Sequence, residues 1–153
     1  FNQAQNIEAF PFLVGEESRD EVPFYESPAP TGMNSIVRYK ELASADWVTR
    51  KQVCLDDFCR EHQIAPEVIK IDVEGAEIGV LRGMRETLKT CRPSIILSVH
   101  PRHLELLGES EDILLDTLKE LNYSISDMSG YEVNTFELKE YILEPAQTGV
   151  LTP

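Results

Sequence analysis

The stretch Val68-Ile69-Lys70-Ile71-Asp72-Val73-Glu74-Gly75-Ala76-Glu77 decides the fold of this chain. Its apolar first half predicts a buried strand over 68–73, and a helix is predicted to begin directly after the acidic turn. In open α/β sheets, ligands bind at the carboxyl ends of the strands, because the turns there leave a crevice between strand ends and helix starts. Any chemistry of this chain is therefore expected near Asp72.

Strand and helix alternate beyond this stretch. One helix is predicted over about 76–90. Its apolar stripe consists of Ile78, Leu81, Met84 and Leu88. Pro93 then introduces a second buried strand over 94–99, which ends at His100. Two apolar strands on either side of a helix predict a crossover connection and a parallel pair.

The C-terminal part predicts one more helix and two strands. The helix covers about 110–121, and the strands lie near 123–126 and 140–143. No long helix separates these strands, so we expect an antiparallel pair at the sheet edge. The whole pattern predicts a single α/β domain over 1–153, with a mostly parallel sheet covered on both faces.

The N-terminal part is patterned more weakly. Short strands are predicted over 7–14, over 22–25 at an edge because of Pro23, and over 51–55. Asp56 is a candidate N-cap of a helix that ends near residue 63. An irregular helix is expected around 39–45.

The composition limits the classes of partner. The chain has 153 residues and a formal net charge of −13. Nucleic acids and anionic membranes need a basic surface, so neither is expected as a partner. No apolar stretch approaches the ~20 residues that cross a bilayer.

The cysteines and the N-terminus indicate the compartment and the context of the chain. The chain has three cysteines, Cys54, Cys59 and Cys91, which is an odd number. They form no Cys-x-x-Cys motif, and no histidine is spaced with them as in a zinc site. We expect buried thiols in a reducing compartment, and hence a cytoplasmic protein. The chain lacks a signal-peptide pattern and an initiator Met, so we expect it to be part of a longer polypeptide.

Several motifs together resemble one known family. They are Leu55-Asp56-Asp57-Phe58, the run from Ile69 to Glu77, Val80-Leu81-Arg82-Gly83, and Pro93 leading to His100. In this order they resemble the FkbM family of methyltransferases, from about Asn6 to Leu143. The resemblance implies a Rossmann-like three-layer sandwich and methyl transfer from S-adenosylmethionine, typically to a hydroxyl oxygen.

The chain departs from that family at the cofactor site. Such enzymes begin with a strand that ends in a glycine-rich turn, followed by a strand whose terminal acid binds the ribose. The glycines of this chain form no Gly-x-Gly pattern. By resemblance, two strands are missing between 7–14 and 68–73. We therefore expect weak cofactor binding by this chain alone. Beside the strand at 68–73 we expect one of two arrangements: either the N-terminal strand pairs there, or the edge stays open and is covered by another molecule or another part of the protein.

The resemblance also assigns residues to the site. Asp72, Glu74 and His100 are the catalytic candidates, and Asp72 and Val73 are the cofactor-binding candidates. Asp72 can orient the acceptor hydroxyl, act as its base, or bind a divalent cation that lowers the pKa of the hydroxyl. No residue is assigned as a metal ligand.

Other polar residues near these strand ends have ordinary structural explanations. Glu77 in the first turn of a helix suits the helix dipole. Lys70 is expected to reach the surface or to be ion-paired, and His62 and His103 are expected at the surface.

The acceptor is expected to be a sugar, a glycan or another small molecule. Residues that can line its pocket are Met33, Arg38, Tyr39 and Trp47. A homo-oligomer, or pairing with a missing N-terminal part, is the expected form of assembly. Two other classes remain open: a non-catalytic α/β module, and a receiver-like domain that holds magnesium through Asp72 and Glu74.

Overall fold

The computed structural model describes residues 5–26, 36 and 46–146. Its strands are β1 (Leu13–Val14), β2 (Arg19–Glu26), β3 (Asp46–Val53), β4 (Val68–Ile71), β5 (Ser94–Val99), β6 (Tyr123–Asp127) and β7 (Lys139–Pro145). Its helices are α1 (Leu55–His62), α2 (Glu77–Arg82), α3 (Arg85–Thr90), α4 (Pro101–Leu106) and α5 (Glu111–Glu120). The expected helix around 39–45 lies outside the described residues.

A four-stranded sheet in the order β4-β5-β7-β6 contains the predicted central strands. β4 and β5 are parallel, with Ile71 opposite Leu97. β7 is antiparallel to both β5 and β6. The predicted antiparallel pair of the last two strands is thus confirmed, with β6 at the edge.

The prediction of a mostly parallel sheet is wrong for the described strands. Two of their five pairings are parallel and three are antiparallel. The reason lies in the connections: a chain that returns without a long crossover must run antiparallel to its neighbour. β6 and β7 are joined without a helix, and β7 then inserts beside β5.

The N-terminal strands form a separate three-stranded sheet, in the order β1-β3-β2. The strand expected over 7–14 is reduced to Leu13–Val14, and the strand expected over 51–55 lies earlier, as β3. Pro11 removes a backbone donor, which accounts for the short β1. β2 contains Pro23 and lies at the edge, as predicted.

The core lies between the four-stranded sheet and its helices. Its fully buried side chains include the predicted stripe of α2 and α3, namely Ile78, Leu81, Met84 and Leu88. β5 contributes alternate residues to this core, and α5 contributes Leu114 and Leu118. This alternation is the reason that β5 presents one face to the helices.

The helix predicted over 76–90 is interrupted at Gly83. The carbonyl of Gly83 accepts a hydrogen bond from the Asp56 N–H at 3.0 Å. The Asp56 carboxylate accepts bonds from the N–H groups of Glu86 and Thr87 at 3.0 and 2.8 Å. Asp56 therefore caps the start of α3 rather than α1, whose N-cap is Cys54.

Helix α4 directly follows His100. Pro101 occupies its first turn, where a missing N–H costs no hydrogen bond. The helix is short, and it places His103 one turn after His100. Among the described residues, none belongs to a helix long and apolar enough to cross a membrane.

Candidate functional site

Side chains from the carboxyl ends of β4 and β5 meet at one edge of the sheet. Asp72 and Glu74 follow β4, and His100 follows β5. Because the two strands are parallel and adjacent, their ends lie at the same edge. The catalytic candidates are thus brought together, each offering a ligand atom within 4.8 Å of the others.

The Glu77 side chain fixes the ring of His100 on the ring's buried side. It is fully buried, and its Oε1 lies 2.7 Å from His100 Nδ1. The same oxygen accepts the Gly75 N–H at 3.0 Å. A buried carboxylate on Nδ1 fixes the ring orientation and leaves Nε2 directed towards the edge of the sheet.

His100 Nε2 faces two carboxylates without forming a hydrogen bond to either. It lies 3.7 Å from Asp72 Oδ1 and 3.7 Å from Glu74 Oε2. The hydrogen bond to Glu77 raises the pKa of His100. Burial opposes this rise, and the charges of Glu74 and Asp72 add to it.

His103 joins the same group from α4. Its Nδ1 lies 3.1 Å from Glu74 Oε2, and its ring stacks on that of His100 with centroids 5.6 Å apart. The five residues Asp72, Glu74, Glu77, His100 and His103 are called the acid–histidine cluster below. The expectation that His103 is a surface residue is wrong, since it is half-buried.

The backbone of the acidic turn directs Glu74 into the cluster. Glu74 has φ 51° and Gly75 has φ 105°, both in the left-handed region. A Cβ added to Gly75 would lie 2.6 Å from His103 Cβ. Only glycine therefore allows the turn to approach α4 this closely.

Three other residues discussed from the sequence have distinct environments. Val73 is half-buried and packs against the core. Lys70 Nζ lies 2.6 Å from both Ser98 Oγ and Glu140 Oε1, so its predicted ion pair is confirmed. His62 is exposed, as predicted, with its ring against Phe58.

Of the four acceptor-pocket candidates, only Trp47 lies within the described residues. It is on β3, opposite Tyr25 of β2, and is 60% exposed. It belongs to the three-stranded sheet, whereas the acid–histidine cluster lies at the edge of the four-stranded sheet.

Glu77 and His103 were not predicted as members of the cluster. In the sequence, an acid at Glu77 is explained by the helix dipole, because acids are common in the first turn of a helix. Hydrophobic periodicity gives no sign that its side chain has a buried partner. The available signal was spacing: His100 and His103 are three residues apart around a proline that can begin a helix. Recognising α4 would have placed both rings on one side.

The thiols only partly follow the sequence prediction. Cys59 is buried, while Cys54 and Cys91 are half-buried, and all three are free. Burial raises the pKa of Cys59, which disfavours its reactive thiolate form.

S-adenosylmethionine would find only part of a site in these residues. Negative carboxylates at the end of β4 suit a sulfonium cation, and Asp72 is accessible, with 52% of its side chain exposed. The sequence supplies no glycine-rich turn to approach the cofactor and no second strand ending in a ribose-binding acid. The described residues therefore do not form a complete cofactor site.

Comparisons with known proteins agree with the motifs. Residues 4–125 match the methyltransferase FkbM domain family. One solved structure, a methyltransferase FkbM from Methylobacillus flagellatus KT, matches at 19% identity with a TM-score of 0.46. That match covers 86% of this chain but 26% of the solved chain, so this chain spans about a quarter of the length of that protein. Among curated proteins, none matches significantly.

The family match extends over most of the chain and includes the turn that carries Asp72, Glu74 and Glu77. The chain belongs to the FkbM methyltransferase family.

Proposed function

We propose that this chain provides the acceptor side of an S-adenosylmethionine-dependent O-methyltransferase. The acceptor is a hydroxyl of a sugar, a glycan or another small molecule. One observation carries the proposal: Asp72, Glu74 and His100 converge at the ends of two parallel strands, with the buried Glu77 fixing the ring of His100. Carboxylates and a positioned imidazole are the groups that activate a hydroxyl.

The reaction requires a nucleophilic oxygen. The acceptor oxygen forms a bond to the methyl carbon, the bond from that carbon to sulfur breaks, and its electron pair stays on sulfur. The hydroxyl proton must leave, and a positioned base typically accelerates such a step by about 100- to 10,000-fold. The cofactor supplies the methyl group, and the protein must orient the acceptor hydroxyl and accept its proton.

Asp72 is the residue proposed to contact the acceptor. It is half-exposed, whereas His100 is 9% exposed and Glu77 is fully buried. An acceptor hydroxyl can therefore reach the Asp72 carboxylate from solvent. Asp72 is proposed to orient the hydroxyl and to receive its proton. The ring of His100, fixed by Glu77, lies 3.7 Å from the Asp72 carboxylate.

Asp72 and Val73 are proposed to lie beside the methyl donor, as the resemblance implies. The remaining cofactor contacts are assigned to a glycine-rich turn and a ribose-binding acid outside this chain. On this proposal the chain pairs with another part of the same polypeptide, and a copy of the chain can be the partner in a homo-oligomer.

The proposal is tested by supplying the polypeptide that carries this sequence and its natural flanks with S-adenosylmethionine labelled in the methyl group. A panel of hydroxylated acceptors, with sugars and glycans first, is screened for label transfer. We expect label on oxygen, located by mass spectrometry of the product. Transfer only to nitrogen or carbon, or no transfer to any acceptor by a cofactor-binding polypeptide, would contradict the proposal and favour a non-catalytic module.

A further inference from the structure

Three side chains of the acid–histidine cluster, Asp72, Glu74 and His100, bring possible metal-ligand atoms close together. His100 Nε2 lies 3.7 Å from both Asp72 Oδ1 and Glu74 Oε2, too far for hydrogen bonds. Ligand atoms about 2.0–2.3 Å from one cation lie roughly 3–4.5 Å from each other. The three side chains thus have the separation of atoms that share an ion.

His100 provides an observation independent of the two acids. The residue is nine-tenths buried, and the buried Glu77 fixes its ring through Nδ1. Its Nε2 is directed at Asp72 and Glu74, with an ion-pair contact of 3.7 Å to each.

Glu77 occupies the position that metal sites use to orient a histidine ligand. A histidine bound to a metal usually donates its other ring N–H to a carboxylate, which fixes the tautomer. Here that carboxylate is fully buried and lies 2.7 Å from Nδ1. With Nδ1 protonated towards Glu77, a cation that binds Nε2 takes the place of the proton that the ring carries there as an imidazolium.

The surrounding charges allow a divalent ion. Lys70 Nζ approaches Asp72 only to 3.9 Å, since Ser98 and Glu140 each hold it at 2.6 Å. Its contact is with Oδ2, which leaves Oδ1 facing His100. Two carboxylates and a neutral imidazole balance the two positive charges of the ion.

We propose that Asp72, Glu74 and His100 Nε2 together bind one divalent cation of the manganese type. Carboxylate oxygens suit magnesium, calcium and manganese, while imidazole suits the transition metals, so manganese satisfies the mixed set. The inference rests on the proposed function and deepens it. The half-exposed side of the site can admit an acceptor hydroxyl as a further ligand, and a bound cation makes a hydroxyl more acidic.

The test is a titration of the chelator-treated chain with Mn²⁺, with free Mn²⁺ measured by electron paramagnetic resonance. We expect one bound ion per chain. Asp72→Asn, which removes a ligand, and Glu77→Gln, which removes the partner of His100, should each weaken binding by roughly 10- to 100-fold. The control Glu105→Gln removes one exposed negative charge from α4 and should leave the affinity unchanged.

Pulsed electron paramagnetic resonance adds a measurement that a general change in surface charge would not affect. Bound Mn²⁺ should show coupling to one imidazole nitrogen, and His100→Gln should abolish it. Because His100 is buried, folding of this variant is checked by circular dichroism, and Asp72→Asn at a half-exposed position serves as the second variant.

Any one of three results would overturn the proposal: no bound Mn²⁺, no coupling of bound Mn²⁺ to a nitrogen, or equal Mn²⁺ affinities of Asp72→Asn and Glu105→Gln. These outcomes concern binding alone. If Mn²⁺ does not bind but Asp72→Asn still abolishes methyl transfer, the cation site is wrong and the proposed function stands. If Mn²⁺ binds but no acceptor is methylated, the proposed function is wrong.

Discussion

At the scale of single residues, Gly75 is the position where the acidic turn approaches α4. Its φ of 105° lies in the left-handed region, and an added Cβ would lie 2.6 Å from His103 Cβ and 2.9 Å from the His103 carbonyl carbon. The contact involves backbone, so a small rotation of a side chain cannot relieve it. The close packing of the acidic turn against His103 therefore requires glycine at this position.

Gly75→Ala should destabilise the protein by roughly 2–5 kcal/mol, combining left-handed strain with overpacking. Urea denaturation measures the change. Gly108→Ala is the matched control, because its φ is 75° but nothing lies near its added Cβ; it should cost only about 1–2 kcal/mol. Equal losses in the two variants would show that the contact with His103 does not matter.

The sequence predicted part of the candidate site for a clear physical reason. Asp72 and His100 each end an apolar strand, and the ends of neighbouring parallel strands share one edge. Glu77 and His103 could not be placed in the same way. Their positions depend on where a short helix begins and on which way a left-handed turn directs the chain, and hydrophobic periodicity carries neither kind of information.

At the scale of elements, the break between α2 and α3 is set by packing against the N-terminal sheet. An added Cβ on Gly83 would lie 2.2 Å from the Gly15 carbonyl oxygen. The Gly15 N–H is held in turn by the Val53 carbonyl at 3.0 Å. Gly83 thus permits a close backbone approach between the α2–α3 break and the residues that follow β1.

Gly83→Ala should destabilise the protein by about 1–3 kcal/mol or more, because neither backbone can move aside independently. Its φ of −78° is ordinary, so strain from the dihedral angle adds nothing. Gly79→Ala, inside α2 with its nearest neighbour at 3.8 Å, should instead stabilise by up to about 1 kcal/mol. Opposite signs in thermal denaturation support the account, and a neutral Gly83→Ala would contradict it.

A second contact between elements makes an acid-dependent prediction. Ser18 Oγ donates to Asp57 Oδ2 at 2.6 Å, joining the turn before β2 to α1. This bond, with further bonds from Cys54 and Arg60, lowers the pKa of Asp57 to about 2. A lowered pKa stabilises the fold above the unfolded value of 3.8, and this contribution is lost as pH falls towards 2.

Ser18→Ala should therefore raise the pKa of Asp57 towards 3.8 and make unfolding begin at a higher pH within that window. Carboxyl carbon shifts in a pH titration by NMR measure the first effect, and circular dichroism measures the second. The exposed Ser124, whose Oγ donates to the Glu144 carbonyl, provides the control Ser124→Ala. An unchanged titration of Asp57 in Ser18→Ala would refute the assignment.

Strong apolar patterns located most elements, whereas their ends and pairings needed three-dimensional contacts. β5 and α5 were predicted closely, since a buried run and a Ser110 N-cap are both local signals. The break at Gly83 was missed because the stripe Ile78–Leu81–Met84–Leu88 continues across it. The second partner of β7, β5, was missed because sequence spacing gives the direction of a strand but not all of its neighbours.

At the scale of the whole molecule, the outer edge of β4 is the feature that bears on the cofactor. Among the described strands, β4 pairs only with β5. The strand expected at the N-terminus pairs with β3 in the other sheet instead of beside β4. Of the two arrangements expected for this edge, the described strands show the one without the N-terminal strand beside β4.

The isolated chain is accordingly predicted to bind S-adenosylmethionine weakly or not at all. Calorimetric titration measures this directly. A dissociation constant at or below about 1 μM, near −8 kcal/mol, would show that these residues complete the site by themselves. The longer polypeptide with its natural flanks is the comparison and should bind more tightly.

The most direct measurement is the turnover of that longer polypeptide with Asp72→Asn against Glu105→Gln. The first change keeps the volume and removes a charge at the candidate site, while the second removes an exposed charge on α4. Asp72→Asn is predicted to lower turnover by about 100- to 10,000-fold with little change in melting temperature, and Glu105→Gln to leave both unchanged. Near-normal turnover of Asp72→Asn would contradict the account and leave Asp72 as a structural carboxylate of the turn.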